Sequence, residues 1–321
     1  MKRYIADVLV PAYNEEAMIG KTLRSIANQK IEPDWHFRVQ VITNGCTDDT
    51  RKVAERTIAE LQHNEHFEFV LHSLEQPSKI RALQFGLDRA DAPLIFCIDA
   101  DSIVSNNCFA ATLREFQNPH TMLAGPLPQV IVPKERCNTK LGYIHRTANV
   151  CRRAYEVISP GGAMIGYRRE NMDGYPEGIA SDDSYVTFKM AERFGWESVR
   201  VPRDAVVYWI GAQNWVDYIK QESRFARATV QLLERFPEFA TVRQTQKEIV
   251  RWEERKKLVT VRFKLKRAGI PLGTLGYLRF LQKACAENAG FIPDQLIGSD
   301  GRWETILSTK QAPDCDPALP C

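Results

Sequence analysis

The chain has 321 residues, of which 44% are hydrophobic and 26% are charged, and its formal net charge at pH 7 is +3. This composition is typical of an ordinary soluble globular protein. So small a net charge gives no reason to expect a nucleic-acid partner. No window approaches the roughly 20 apolar residues of a membrane-spanning helix, and the amino-terminal apolar stretch is too short for a signal peptide. We therefore expect a cytoplasmic protein, with peripheral contact to a membrane left open.

Strands and helices alternate over the first hundred residues. Short apolar or alternating runs predict strands at residues 8–10, 39–42, 67–71 and 94–98. Apolar residues at helical spacing follow each of the first three runs. Asn14 is predicted to begin the first of these helices, because asparagine caps helices and the two glutamates after it suit the helix dipole. This order predicts parallel strands with right-handed crossovers, and hence a doubly wound, mostly parallel α/β sheet.

The pattern is less regular after residue 104. Residues 121–133 read as extended chain, 181–194 as a helix that ends at Gly195, 199–209 as strand and 215–236 as a longer helix. Beyond Pro237 the composition becomes richer in charge. We treat residues 241–321 as a C-terminal extension with a role of its own.

The extension contains the basic segment VTVRFKLK, at residues 259–266. Its apolar and polar residues alternate, which predicts a half-buried strand. Its positive charge, with RWEERKK before it, would also suit anionic lipid headgroups or an acidic acceptor. We favour the strand, because no apolar anchor accompanies the charge.

Polar clusters follow three of the early strands: PAYNEE, NGCTDDT and DADS. Ligands of such sheets bind beyond the carboxyl ends of the strands, so these clusters should meet at one edge. Asp99 and Asp101 end the fourth strand. Two carboxylates at this spacing suit Mn²⁺ or Mg²⁺, with water and substrate phosphates completing the coordination. The alternative for these two residues alone is ordinary turn chemistry.

A resemblance emerges when these motifs are taken in order. The segments VLVPAYNEEAMIGKTLRSIANQ, VQVITNGCTDDT, KIRALQFGL and IFCIDADS, followed by GGAMIGYRRE, SDDSYV and QESRFAR, resemble the inverting glycosyltransferases of family two, which have the GT-A fold. The resemblance covers about residues 5–230. It implies a nucleotide-binding half at 1–104 and an acceptor-binding half at 105–240. The joint order of the motifs is more specific than any one of them.

The resemblance implies a set of donor-binding residues in the loops that follow the strands. Asp101 would bind the metal, with Asp99 on the metal or the ribose. Asn44 departs from the family, which has an aspartate there, and its amide could still bond a base edge. The remaining implied contacts to the nucleotide or the donor sugar are Pro11, Tyr13, Glu15, Asp48, Lys79, Gly161 and Gly162.

The resemblance also implies the catalytic and acceptor residues. Asp183 would be the base that takes the proton of the acceptor hydroxyl, and Asp182 would orient the site or contact the acceptor. Ser181 and these two residues also form a good helix N-cap, and the two roles are compatible. Gln221 and Arg224, three residues apart on one helix face, would hold the acceptor or the diphosphate. The alternative for this last pair is a surface helix held by salt bridges.

Together these features predict a metal-dependent inverting glycosyltransferase. It would move a single sugar from a nucleotide diphosphate sugar, with UDP as the expected nucleotide, to an acceptor hydroxyl that the sequence does not identify. We expect single transfer because the processive relatives carry several membrane helices and this chain has none. Two alternatives stay open at this point. A nucleotidyltransferase would release pyrophosphate from a triphosphate, and a non-catalytic protein would only bind the nucleotide sugar.

Overall fold

The computed structural model describes residues 4–155 and 159–287. Ten strands lie within these ranges: β1 Ala6–Ala12, β2 Phe37–Asn44, β3 Phe67–Leu74, β4 Leu94–Ile98, β5 Ile103–Val104, β6 Leu123–Ala124, β7 Leu127–Ile131, β8 Met164–Arg168, β9 Val199–Arg200 and β10 Val206–Ile210. The same ranges contain nine α-helices: α1 Ile19–Ala27, α2 Thr50–Leu61, α3 Lys79–Arg89, α4 Cys108–Glu115, α5 Lys140–Ala154, α6 Asp182–Phe194, α7 Trp215–Arg235, α8 Phe239–Arg267 and α9 Gly273–Glu287.

A seven-stranded sheet in the order β3-β2-β1-β4-β8-β6-β9 forms the centre of the molecule. Strands β1 to β4 are mutually parallel, as their alternation with helices predicted, whereas β8 runs antiparallel to β4 and to β6. Every residue of β1 and β4 is buried, as expected for strands covered on both faces. The predicted mostly parallel, doubly wound α/β sheet is thus confirmed. Because β4 pairs with β8, this sheet includes strands from both sides of the expected division at residue 104.

Helices cover both faces of this sheet. Helices α1, α2 and α4 contribute to one apolar core, while α3 and α6 build the core on the opposite face together with parts of α7 and α8. Helices α8 and α9 continue from this second side and pack against α5, α6 and α7. Because β1 to β4 are parallel, their carboxyl ends lie at one edge of the sheet.

A second sheet of three strands, in the order β5-β10-β7, lies beside the DADS loop. The extended stretch predicted at 121–133 divides into β6 and β7, which belong to different sheets. The strand predicted at 199–209 divides in the same way into β9 and β10. Strand β5 directly follows the aspartates and pairs antiparallel with β10, so the loop is held by both sheets.

Two local predictions are wrong. Asn14 does not begin the first helix: it has a positive φ of 52°, which asparagine tolerates, and the helix is capped by Met18 and starts at Ile19. Residues 259–266 are not a strand but the last two turns of α8. In so short a run, apolar residues at every second position are compatible with a helix as well as with a strand. Here Val261 and Leu265, four residues apart, lie on the buried face of the helix.

Candidate functional site

The first two loops at the strand ends are joined to each other by hydrogen bonds. The side-chain amide oxygen of Asn14 (Oδ1) accepts from Thr47 N at 2.9 Å, and Glu15 N donates to Thr50 Oγ1 at 2.6 Å. Asp48 accepts from Glu16 N at 3.2 Å through one carboxylate oxygen. Its other oxygen accepts from the backbone and hydroxyl of Thr50. Asp48 therefore shapes the loop pair in addition to any contact with a nucleotide.

The predicted donor residues of the first loop lie at this edge. Pro11 is buried inside β1, opposite Ile42 of β2. Tyr13 follows the strand and is half-buried, and Glu15 is buried beneath the loop. Of these three, Tyr13 has the side chain with the most room to meet a ligand.

Asn44 has a structural position. Its amide nitrogen donates to Ala12 O at 2.9 Å, and its amide oxygen accepts from Ser78 N at 3.0 Å. The side chain is buried and joins β1 to the start of α3. Both ends of the amide are thus engaged inside the protein, and the bond from this amide to a base edge stays a prediction.

The loop that carries Asp99 and Asp101 is fixed by three hydrogen bonds. Asp99 N donates to Ala163 O at 3.1 Å, which joins the loop to the glycine-containing segment before β8. Ser102 N donates to Asp99 O at 3.1 Å and closes the turn. Thr22 of α1 donates through its hydroxyl to Ala100 O at 2.8 Å. The two carboxylates are therefore presented by a backbone with little freedom.

Lys79, at the first residue of α3, joins two acidic motifs that are far apart in sequence. Its Nζ lies 2.7 Å from Asp99 Oδ1 and 2.9 Å from Asp182 Oδ1. The side chain of Asp182 is buried, whereas that of Asp99 keeps 33% of its surface exposed. The strand-end aspartates and the acidic pair of α6 thus share one cleft.

Asp183 is held from two sides. Ser181 Oγ donates to its Oδ1 at 2.5 Å and lies 2.9 Å from Ser184 Oγ. The predicted capping bond from the Ser181 side chain to the helix backbone is absent, because that hydroxyl is directed to the carboxylate. On the other side, a Cβ at Gly162 would stand only 2.7 Å from Asp183 Oδ2. Glycine is needed at 162 so that the backbone can approach this carboxylate.

The adjacent Gly161 is needed for a different contact. A Cβ at this residue would stand 2.9 Å from the ring of Pro128 in β7. The loop is thereby seated against the second sheet. The two glycines place the segment between β7 and Asp183, beside the aspartate loop.

Helix α7 carries the predicted pair Gln221 and Arg224. Gln221 is buried, and the aromatic ring of the following Phe225 is exposed. Burial lowers the pKa of Arg224, and the opposing charges of Asp101, Asp99 and Asp183 limit that shift. The guanidinium is therefore close enough to the aspartates to interact with their charges, and a diphosphate bound beside Asp101 would come within the same field.

The pKa values of three aspartates in the cleft are all raised. Loss of water raises the pKa of Asp99, Asp101 and Asp183, with neighbouring carboxylates adding to the rise at Asp99 and Asp183. Lys79 opposes the rise at all three, and Arg224 opposes it at Asp101. Burial alone would lower the pKa of Lys79, but Asp182 and Asp99 raise it well above its usual value. Lys79 is therefore a permanent cation at neutral pH.

The donor set fits a hard divalent ion that is shared with a substrate. Four carboxylates face two cations in the cleft, which leaves an excess of negative charge that would repel a diphosphate unless another cation were present. Among residues 4–155 and 159–287, no group of three or more His, Cys, Asp or Glu side chains could hold a metal without substrate. Asp101 and the free side of Asp99 would be the protein ligands of Mn²⁺ or Mg²⁺, which commonly take their remaining ligands from phosphates.

Sequence reasoning missed two residues that position the site. Ser181 was assigned only to capping, and Thr22 was not considered. Lys79 was predicted beside the nucleotide, but its bridge between Asp99 and Asp182 was not foreseen. A serine two residues before a candidate base is a usable signal for the first case, whereas Thr22 shows no pattern beyond ordinary helix composition.

Comparison with known proteins agrees with this geometry. The family model described as "Glycosyltransferase like family 2" matches residues 6–228. No protein of curated function matches the chain significantly.

Several solved structures are similar. A mannosyltransferase from Pyrobaculum calidifontis, solved with GDP-Man and Mn²⁺, superposes with a TM-score of 0.61 at 19% identity, over 90% of this chain and 86% of that one. S. aureus TarS, solved with UDP-GlcNAc, gives a TM-score of 0.47 at 18% identity, over 88% and 90% of the two chains. Glucosyl-3-phosphoglycerate synthase from Mycobacterium tuberculosis, solved with Mn²⁺, UDP-Glc and glycerol 3-phosphate, gives 0.48 at 20% identity, over 73% and 80%.

The family match spans well over half of the chain and includes every strand of the central sheet. The first of the solved structures has the same overall fold. The chain therefore belongs to the glycosyltransferase-like family 2 and is a glycosyltransferase with the GT-A fold.

Proposed function

We propose that this enzyme transfers a single sugar, with inversion, from a nucleoside diphosphate sugar to an acceptor hydroxyl, and that transfer depends on a divalent metal. One observation carries the proposal: Lys79 binds Asp99 and Asp182 at once. This brings the carboxylates suited to a metal and diphosphate into the same cleft as the carboxylate suited to act as a base. Inversion needs only one such base, because displacement at the anomeric carbon is direct.

Asp183 is the proposed base. Its carboxylate would accept the proton of the acceptor hydroxyl while that oxygen bonds to the anomeric carbon and the bond to the diphosphate breaks. Ser181 bonds to the carboxylate, and the glycine at 162 leaves it the room that a side chain would take, which favours a productive approach. Its raised pKa strengthens it as a proton acceptor at neutral pH.

The diphosphate is proposed to lie between the aspartate loop and α7. A divalent ion on Asp101 and Asp99 would stabilise the charge that develops on the leaving diphosphate. Arg224 faces the same region and suits a bidentate phosphate contact. Because the side chain of Asn44 is engaged by backbone groups, we expect base recognition to depend on Tyr13 and on loop backbone. UDP stays a prediction that the first experiment compares with GDP.

The first experiment measures binding and turnover separately. Thermal unfolding is followed with UDP or GDP, each with and without Mn²⁺, since a ligand at about 100 times its dissociation constant adds about 2.7 kcal/mol of stability. Donor turnover is followed as diphosphate release to water from UDP-Glc, UDP-GlcNAc and GDP-Man. We expect a Mn²⁺-dependent stabilisation by one diphosphate and slow turnover of its sugar conjugate.

Two variants assign the roles, with Asp34→Asn as a matched control on an exposed residue before β2, at the opposite end of the strand. Asp101→Asn should abolish the Mn²⁺-dependent stabilisation. Asp183→Asn should keep that stabilisation and lower turnover by about 100-fold or more, because a general base contributes roughly 10² to 10⁴ in rate. Full turnover by Asp183→Asn, or no diphosphate binding by the wild type, would overturn the proposal.

A further inference from the structure

Helix α8 carries an exposed apolar stripe. Trp252, Val259 and Phe263 are 53%, 81% and 65% exposed, and with 3.6 residues per turn these three positions lie on one face of the helix. The opposite face is buried through Val261 and Leu265, which pack with α5 and the start of α9. The stripe therefore faces away from the protein.

The C-terminal part of the helix is strongly basic. The helix contains ten basic and three acidic residues, and the part from Arg255 to Arg267 contains seven basic residues and no acidic one. The Lys256 ammonium lies 4.3 Å from the centroid of the Trp252 ring, so cation and aromatic ring are presented together. In a chain with a net charge of only +3, this is a marked concentration of positive charge.

We propose that this basic apolar face of α8 binds the surface of a membrane that contains anionic lipids. Anionic headgroups complement the arginines and lysines, while the acyl boundary accepts Trp252, Val259 and Phe263. A second copy of the chain is disfavoured, because two such faces would bring like charges together. A nucleic acid or other acidic polymer would satisfy the charge but would leave the aliphatic Val259 without a partner.

Helix α8 is expected to lie parallel to the membrane surface when it is bound. Within the residues that the structure describes, no helix is long and apolar enough to span a bilayer. Near its C-terminal end, α8 presents Val259 and Phe263 together with exposed lysines and arginines, which anionic headgroups and the acyl boundary would complement. Lipid binding by this face is independent of the chemistry in the cleft.

Flotation of the full chain with large unilamellar vesicles tests the assignment. Vesicles of 70% phosphatidylcholine and 30% phosphatidylglycerol should bind the protein at least about 10-fold more strongly than pure phosphatidylcholine, and 0.5 M NaCl should weaken the binding. The double variant Val259→Ser/Phe263→Ser should reduce binding to the anionic vesicles by about 10-fold or more. Its donor turnover and circular dichroism should match those of the wild type.

The matched control is Val216→Ser/Phe280→Ser, which changes the same residue types at comparably exposed positions on α7 and α9. It should bind vesicles like the wild type. Equal losses in the two double variants, or no preference for anionic vesicles, would overturn the proposal. So would binding to polyuridine or heparin in the absence of vesicle binding, or a concentration-dependent dimer that Val259→Ser/Phe263→Ser abolishes.

Discussion

Replacing Gly162 by alanine tests whether the position of the Asp183 carboxylate limits catalysis. The new Cβ would stand 2.7 Å from Asp183 Oδ2 and 2.9 Å from its Cγ, against at least about 3.4 Å for an ordinary contact. Gly162 is not among the residues with positive φ, so alanine is compatible with its backbone. The strain therefore falls on the carboxylate, which must retreat by about 0.7 Å.

That retreat has a predictable cost. The carboxylate is held on its other side by Ser181 at 2.5 Å, so it cannot move without lengthening or bending this bond. Since a misplacement of about 1 Å can cost 10²-fold in rate, we expect turnover to fall by roughly 10- to 100-fold, or about 1.4–2.7 kcal/mol in activation free energy. Thermal stability should change little, because the displaced group is a side chain at the open edge.

The assay is the steady-state rate of diphosphate release, with dissociation constants measured separately for the nucleoside diphosphate and for its sugar conjugate. Gly276→Ala is the control, because nothing lies within 4 Å of a Cβ added there. A wild-type rate in Gly162→Ala would refute the reasoning. A loss of affinity confined to the sugar conjugate would show that Gly162 serves the donor sugar instead of the base.

Three further predictions concern the same cleft. Ser181→Ala removes a hydrogen bond that lowers the pKa of Asp183, so the acidic limb of the pH–rate profile should move to higher pH; an unchanged limb would contradict this. Asp183→Asn, with its lowered turnover, should be at least as stable as the wild type at pH 7: burial raises the folded-state pKa of Asp183, so its contribution to stability is greatest below the unfolded pKa and is lost as pH rises through the folded value. A clearly lower melting temperature would count against it. Lys79→Met leaves two carboxylates without their shared cation and should cost about 1–3 kcal/mol of unfolding free energy, a range that allows for solvent screening at a side chain that is 40% exposed. Lys52→Met, at an exposed helix pair, should cost clearly less. Equal effects in the two lysine variants, measured by urea unfolding, would refute a special role for Lys79.

Most of the central sheet could be predicted from local sequence. The alternation of buried strands with amphipathic helices over residues 6–98 needs only hydrophobic periodicity, and it places Asp99 at a strand end without any knowledge of the rest of the chain. The prediction for residues 259–266 was wrong because a short run with alternate apolar residues satisfies both periods. This segment is helical because Val261 and Leu265 pack against α5, and the helical conformation leaves Val259 and Phe263 exposed.

The sequence by itself determined which residues could do chemistry: carboxylates in pairs after a strand and at a helix start, with a basic residue at the start of α3 and another on α7. Only the tertiary structure decided how they act together. The bridge from Lys79 to Asp99 and Asp182 spans more than a hundred residues, and the Asp183 carboxylate is confined by a backbone approach at Gly162 that no local pattern records. The tertiary structure also decides the role of Asn44, whose side chain forms hydrogen bonds with the backbone at the end of β1 and before α3. A polar residue type states which bonds a side chain can make, whereas the fold decides which partners reach it first, because buried donors and acceptors must be satisfied by whatever group lies nearby.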